Sequence, residues 1–104
     1  MMLNLKKTAV AGTLESSDAM VTVEPSDDIS INIESEVLEL YGESIEKTVY
    51  EILEKFEVCG ALVNVIDKGA LDCTIRARLA CAICRAAEIS YDWHKEDIFE
   101  KGEK

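Results

Sequence analysis

Four cysteines, one histidine, an abundance of carboxylates and two adjacent serines are the side chains in this sequence that could carry chemistry. The cysteines are the most suggestive. Cys81-Ala82-Ile83-Cys84 is a C-x-x-C, Cys73 lies eight residues upstream and Cys59 precedes them. On a helix turning about 100° per residue, Cys73 and Cys84 stand about 20° apart and Cys73 and Cys81 about 80° apart. Three thiols on one helical side, with Cys59 brought in, would suit zinc or an iron–sulfur cluster. The rise opposes this. Eleven steps of about 1.5 Å put Cys73 and Cys84 roughly 16 Å apart along the axis, too far to share one ion. The cysteines are therefore expected to be small apolar residues packing a helix against a sheet, with no metal site.

His94 is the lone histidine, so a histidine triad or a multi-histidine metal site is excluded. It lies in Tyr91-Asp92-Trp93-His94-Lys95-Glu96, where it reads as a surface residue with Trp93 as an anchor for the tail. Glu34, Glu36, Glu39, Glu43, Glu46, Glu51 and Glu54 read as the solvated face of a helix rather than as catalytic pairs. No P-loop, G-x-G-x-x-G turn or G-x-S-x-G elbow occurs. Ser16 and Ser17 remain, in a polar turn. Turns prefer serine for structural reasons. A turn also projects a hydroxyl into solvent, where an external enzyme reaches it and an attached group swings freely. With no base beside it, such a serine needs the modifying enzyme for activation. No self-sufficient active site is present.

The elements that must position these residues read as strands first. Thr8 to Leu14 is small and β-tolerant, and Glu15-Ser16-Ser17-Asp18 is turn-like. Met20 to Glu24 is extended, with Val21 and Val23 on one face, and Pro25 with Ser26-Asp27-Asp28 ends it. Ile29, Ile31 and Ile33 alternate with Ser30, Asn32 and Glu34, the clearest half-buried strand. From Ser35, an expected N-cap, the period lengthens. Leu38, Tyr41, Ile45, Val49, Ile52, Leu53 and Phe56 form one helical stripe, with Gly42 placed to kink or split the first turns and Glu43–Lys47 as a surface pair. Leu62 to Asp67 reads as a strand buried on both sides and central in its sheet. Asp67-Lys68-Gly69 turns the chain. Asp72 then caps a second helix, from about Cys73 to Glu88, with Ile75, Leu79, Ala82, Ile83 and Ala86 inward. The order βββαβα predicts an α+β two-layer sandwich, two helices on one face of a small sheet, with a right-handed crossover if the third and fourth strands run parallel.

Length and charge bound what such a domain does. The 104 residues support one core, expected over residues 1–92, followed by a charged tail at 93–104 with the composition of a disordered segment. A chain this size buries roughly two-thirds of its unfolded surface, enough to fold without staples. The net charge of −10 argues against nucleic-acid and anionic-membrane partners and for partners with basic patches. No run approaches the roughly 20 apolar residues of a membrane span. The start lacks a signal-peptide hydrophobic stretch, so a cytoplasmic location with reduced thiols is expected.

Two separated stretches carry a resemblance. Ala9-Val10-Ala11-Gly12-Thr13-Leu14-Glu15-Ser16-Ser17-Asp18 resembles the N-terminal signature of the citrate lyase acyl carrier protein family, the gamma subunit. Val63-Asn64-Val65-Ile66-Asp67-Lys68-Gly69-Ala70-Leu71-Asp72-Cys73, followed by Ile75-Arg76-Ala77-Arg78-Leu79, resembles its central motif. The likeness runs from about Thr8 to Glu88. It implies a carrier with no catalytic site of its own. Ser16, after Thr13-Leu14-Glu15, is the implied attachment point, with Ser17 the runner-up because members often carry another small residue there. The implied cofactor is 2'-(5''-phosphoribosyl)-3'-dephospho-CoA, joined by a phosphodiester and ending in a thiol. It would carry acetyl and citryl thioesters between an alpha (acyl transferase) and a beta (lyase) subunit as citrate is cleaved to acetate and oxaloacetate. A prosthetic-group transferase would be a further partner. Carriers of citramalate lyase and malonate decarboxylase use the same kind of arm and form the neighbouring alternative. A cysteine-bound metal or redox module, and an acidic adaptor with no covalent group, are the alternatives of another class. Cys81 and Cys84 stand where the family usually has small or aliphatic residues, which favours packing. The resemblance does not extend to helical-bundle acyl carriers, since strands are expected around Ser16.

Overall fold

Alternation in the first third and a 3.6-residue period afterwards produce the expected order. The computed structural model describes residues 3–35 and 38–89. Its strands are β1 (Ala9–Gly12), β2 (Ala19–Pro25), β3 (Ile29–Ser35) and β4 (Ala61–Asp67), and its helices are α1 (Leu38–Lys55) and α2 (Asp72–Ala87). Pairing gives one sheet in the order β1-β2-β4-β3, antiparallel except for the parallel β3–β4 pair. β4 is central, as its composition predicts.

Register explains the core. Ala9, Val23, Val63 and Ile31 lie in one row across the sheet, and Ala11, Val21, Val65 and Ile33 in the next. These rows face the helices. Ile45, Val49, Ile52 and Leu53 of α1 and Ile75, Leu79, Ala82, Ile83 and Ala86 of α2 are buried with them in one cluster. Alanine is frequent on the covered face (Ala9, Ala11, Ala19, Ala61) and on α2 (Ala80, Ala82, Ala86, Ala87), where a small side chain lets helix and strand approach closely. The result is an α+β two-layer sandwich.

The opposite face of the sheet is less covered than expected. Leu62, Asn64 and Ile66 of β4 are only partly buried, so β4 is sealed on one side rather than two. Asn32 donates through Nδ2 to Asn64 Oδ1 at 3.2 Å on that side. Local expectations at Gly42 and Asp72 also change, and the residues that directly follow Ser35 lie outside the described ones. Gly42 does not split the helix, since α1 runs unbroken for 18 residues. Ser35 ends β3, and its hydroxyl donates to Asp67, because the parallel ladder to Asp67 extends the strand that far. Asp72 is the first residue of α2 and Leu71 its N-cap, without a side-chain capping bond; the Asp72 carboxylate is drawn away by Arg76 and Thr48.

The C-terminus of α2 closes through Glu88 in the left-handed region, with its N–H bonded to the last carbonyls of the helix. Among the described residues no helix is long and apolar enough to cross a membrane. Trp93, His94 and the tail at 93–104 lie outside the described residues.

Candidate functional site

The Ser16 turn is built by residues brought from both halves of the chain. β1 and β2 form a hairpin whose connection, residues 13–18, closes with the Asp18 N–H donating to the Glu15 carbonyl at 3.1 Å. That bond spans a four-residue turn. Ser16 takes the second position. Ser17 takes the third, with φ 69°, a left-handed conformation usually filled by glycine or asparagine. Both serines are exposed.

The turn is then stapled to β4. Its Ser17 N–H donates to the Lys68 carbonyl at 2.7 Å, and the Lys68 N–H donates to the Asp18 carbonyl at 2.9 Å. Register makes this possible: Ala19 pairs with Asp67, so the start of β2 and the end of β4 coincide at one edge of the sheet. Ser35 also pairs with Asp67. The serine turn, the end of β3, and the β4–α2 loop therefore share that edge. Asp67 holds the loop, since its buried carboxylate accepts from the Ala70 N–H at 2.8 Å and from the Ser35 hydroxyl at 2.9 Å.

Asp18 anchors the side-chain network. Arg78, on α2, donates through Nε to Asp18 Oδ1 at 2.9 Å and through Nη2 to Oδ2 at 2.8 Å, a two-pronged pair across 60 residues of sequence. Thr13 Oγ1 donates to Oδ2 and the Ala19 N–H to Oδ1, each at 2.7 Å. Thr13 also accepts from the Glu15 N–H. These bonds, Arg78's first, then Thr13's and Ala19's, hold the Asp18 carboxyl well below the usual carboxylate range. The Arg78 guanidinium is raised in turn, chiefly by its bonds to Asp18. Gly12 permits the closure. Its φ is +100°, and a methyl there would collide with the Ala19 carbonyl and press on the Arg78 side chain.

The chemical consequence is limited and specific. Asp18 is the carboxylate that shapes the serine turn, but both its oxygens are occupied and it is too weak a base to take a hydroxyl proton. The arrangement presents an exposed hydroxyl on a turn tied to the sheet and to α2.

Thr13, Asp18, Lys68 and Arg78 were not readable as partners from sequence. All four sit in the two stretches that carry the family resemblance, which was the one available signal.

The cysteines are dispersed in exposure, and the packing expectation needs correction. Cys84 is buried and Cys81 partly so, but Cys59 and Cys73 are exposed, because Cys59 falls in the loop before β4 and Cys73 in the first turn of α2. Burial, then the neighbouring Cys81, raises the Cys84 thiol above its ordinary value. Among the described residues, no group of three or more His, Cys, Asp or Glu side chains is arranged to hold a metal ion.

The carboxylate face of α1 also needs two corrections, the first being that Glu34 lies in β3 and not on the helix. Glu43, Glu46 and Glu54 are exposed, but Glu51 bonds to Arg76 of α2, which is only 3% exposed and also donates to Asp72 Oδ2 at 2.7 Å. Burial alone would lower the Arg76 pKa; the bonds to Asp72 and Glu51 outweigh it and the net shift is upward. Thr48 donates to the other Asp72 oxygen. This lock joins α1 to α2. Glu43 and Lys47, expected as a surface pair, do not pair, whereas Lys7–Glu88, Arg76–Glu51, Arg76–Asp72 and Arg78–Asp18 do.

Comparison with known proteins gives a consistent result. A family model described as malonate decarboxylase delta subunit (MdcD) matches residues 6–86. The citrate lyase acyl carrier protein of Streptococcus mutans is 50% identical, covering 91% of this chain and 96% of the relative. That of Streptococcus pyogenes is 47% identical over the same shares. The crystal structure of a Pseudomonas malonate decarboxylase hetero-tetramer in complex with malonate contains a chain with a TM-score of 0.68 and 23% identity, covering 82% of this chain and 89% of that one. This last likeness establishes the shared fold.

Proposed function

The chain belongs to the family of citrate lyase acyl carrier proteins, matched by the malonate decarboxylase delta subunit model, and from that premise we propose that it is a covalent carrier subunit of citrate lyase with Ser16 as the attachment point. The group proposed there is the phosphoribosyl dephospho-CoA arm. When bound, it supplies a terminal thiol on which an acyl group is carried as a thioester. The remaining work of this chain is presentation. An exposed hydroxyl on a turn fixed to the sheet and to α2 suits a phosphodiester link, because attachment displaces no packed atom.

The observation that carries the reading is the Ser16 turn itself, stapled by Lys68 and Asp18–Arg78. Ser16 is favoured over Ser17 by backbone freedom. Ser17 occupies the left-handed position and its N–H is tied to Lys68, whereas Ser16 lies one step outside that staple. A tethered thioester meets successive catalytic subunits at an effective concentration in the millimolar range for a short flexible link, of order 1 mM. The partners proposed are an acyl-transferring alpha subunit, a lyase beta subunit and the transferase that installs the arm. The acidic surface, net charge −10, suits docking sites with basic patches on them.

Intact-mass analysis after coexpression with the family's prosthetic-group transferase tests this. The expected result is a single mass increase, absent in Ser16→Ala and kept in Ser17→Ala. The reverse pattern moves the site to Ser17, and no increase in the wild type refutes the carrier reading. The family model favours a second reading, a carrier of a malonate decarboxylase complex. Copurified catalytic subunits assayed with citrate, citramalate and malonate separate these acids, because the acid-binding pocket belongs to the partner.

A further inference from the structure

A cleft of about 370 Å³ opens at the same sheet edge as the Ser16 turn, between the first half of α1 and the start of α2. Ser44, Ile45, Gly69, Ala70, Leu71 and Ile75 line it. We propose that this cleft is the resting site of the uncharged thiol-bearing end of a group attached at Ser16, an inference that rests on the carrier reading above.

Three observations choose this occupant. The first is reach. Ser17 is bonded to Lys68, and Gly69 at the cleft rim is the next residue, so Ser16 and the rim are within about 13 Å by ordinary Cα and ladder spacings. The second is shape and polarity. The volume lies at the small end of ligand sites, roughly 300–1,000 Å³, so it takes the narrow tip of an arm and not its nucleotide portion. Leu71, 70% exposed, overhangs the rim with no described partner burying it, and Gly69 adds open space where a side chain would stand. A larger cleft, about 550 Å³, lies around Ile29, Tyr50 and Val58 at the opposite end of the sheet, where Ile29 pairs with Ala61, and is remote from the serine.

The third is charge. Asp67 and Asp72 are the carboxylates among the described lining residues, with no lysine or arginine there. Their oxygens are engaged, Asp67 by Ala70 and Ser35 and Asp72 by Thr48 and Arg76. A neutral tip enters without displacing these bonds. A tip bearing carboxylates finds no cation in the described lining, since the neighbouring Arg76 guanidinium is committed to Asp72 and Glu51, and stays outside. The cleft thus separates arm states by charge: a free or neutral acyl end is sheltered from water, and an anionic acyl end is left exposed to a partner.

Backbone amide NMR on the full chain tests this, with intact mass confirming the load on Ser16. Relative to unmodified protein, the loaded form should shift the amides of Ile45, Gly69, Ala70, Leu71 and Ile75 as well as those of residues 13–18. Ser44→Trp, at an exposed position of α1, should abolish the cleft shifts and keep those of the turn. Charge is tested in a Cys59→Ser, Cys73→Ser background, which removes the two exposed native thiols. Capping the arm thiol with iodoacetamide, a neutral cap, should preserve the cleft shifts, and capping with iodoacetate, its anionic isostere, should abolish them. Loaded protein with shifts confined to residues 13–18, or cleft shifts that survive Ser44→Trp, overturns the resting site while leaving the carrier reading intact. Equal cleft shifts with both caps overturn the charge selection. Absence of any load at Ser16 fails the carrier reading, and this inference falls with it.

Discussion

Gly12→Ala should unfold this domain far more readily than Gly69→Ala, although both glycines have positive φ, +100° and +86°. The two share a backbone term: a non-glycine residue in left-handed space costs about 1–2 kcal/mol. They differ in what the new methyl meets. At Gly69 nothing lies within 4 Å, so the loss ends there. At Gly12 the methyl strikes the Ala19 carbonyl and crowds the Arg78 stem. Relief requires β1 to part from β2 at the Gly12–Met20 end, a packing disruption of about 1–3 kcal/mol. The expected totals are about 2–5 kcal/mol for Gly12→Ala and about 1–2 for Gly69→Ala. At about 4–8 °C per kcal/mol for a domain of this size, the Gly12 variant should melt at least about 8 °C below wild type. Thermal unfolding followed by far-UV circular dichroism reads both. Equal losses would refute the claim that close approach, rather than backbone conformation alone, holds the serine hairpin against α2.

Three further perturbations probe the turn and the helix lock. Ser17→Gly should stabilise by about 0.5–1 kcal/mol by removing left-handed strain, with the Ser16 mass increase unchanged; a lower melting temperature would contradict the turn geometry. Asp18→Asn should narrow its stability gap to wild type in acid. The Asp18 carboxyl is depressed on folding, so its contribution is fully present above the unfolded value near 4 and declines as pH falls below that toward the folded value. Urea unfolding from pH 7 to pH 3 should show a constant gap down to about pH 5 and a shrinking one below about pH 4. Arg76→Ala should cost about 2–3 kcal/mol, since it removes charge-assisted bonds to Asp72 and Glu51 and the packing of a buried stem, and should lower the urea midpoint at unchanged slope.

What could be read from sequence was whatever depends on neighbours along the chain. Ile29, Ile31 and Ile33 alternate because a half-buried strand has a two-residue repeat. The stripe from Ile45 through Leu53 recurs because a helix has a 3.6-residue one. Both became elements with the expected buried face. The exposed position of Ser16 follows equally from a polar run between two strands. Contacts across the fold were not legible. Arg76 and Arg78 are two residues apart and read alike, yet one is buried between helices and the other reaches back 60 residues to Asp18. Cys73 and Cys84 likewise share a helix but not an exposure, because position along the helix decides what lies opposite.

The two stretches that carry the family resemblance prove to be one structural unit. The first supplies Gly12, Thr13, Ser16 and Asp18; the second supplies Asp67, Lys68 and Arg78. Backbone bonds join Ser17 and Asp18 to Lys68, and side-chain bonds join Asp18 to Arg78. Neither stretch alone can hold the turn, because a hairpin loop without tertiary partners opens at little free-energy cost. Rigidity matters to a carrier for a definite reason. The reach of a flexible arm is measured from its root, and a wandering root enlarges the volume the thiol samples and lowers its effective concentration at each partner. On the proposed reading, a root at Ser16 anchored to both the sheet and α2 would confine the motion to the arm. That division of labour requires a hub residue with no chemistry of its own, and Asp18, with both oxygens committed and its basicity suppressed, meets the requirement.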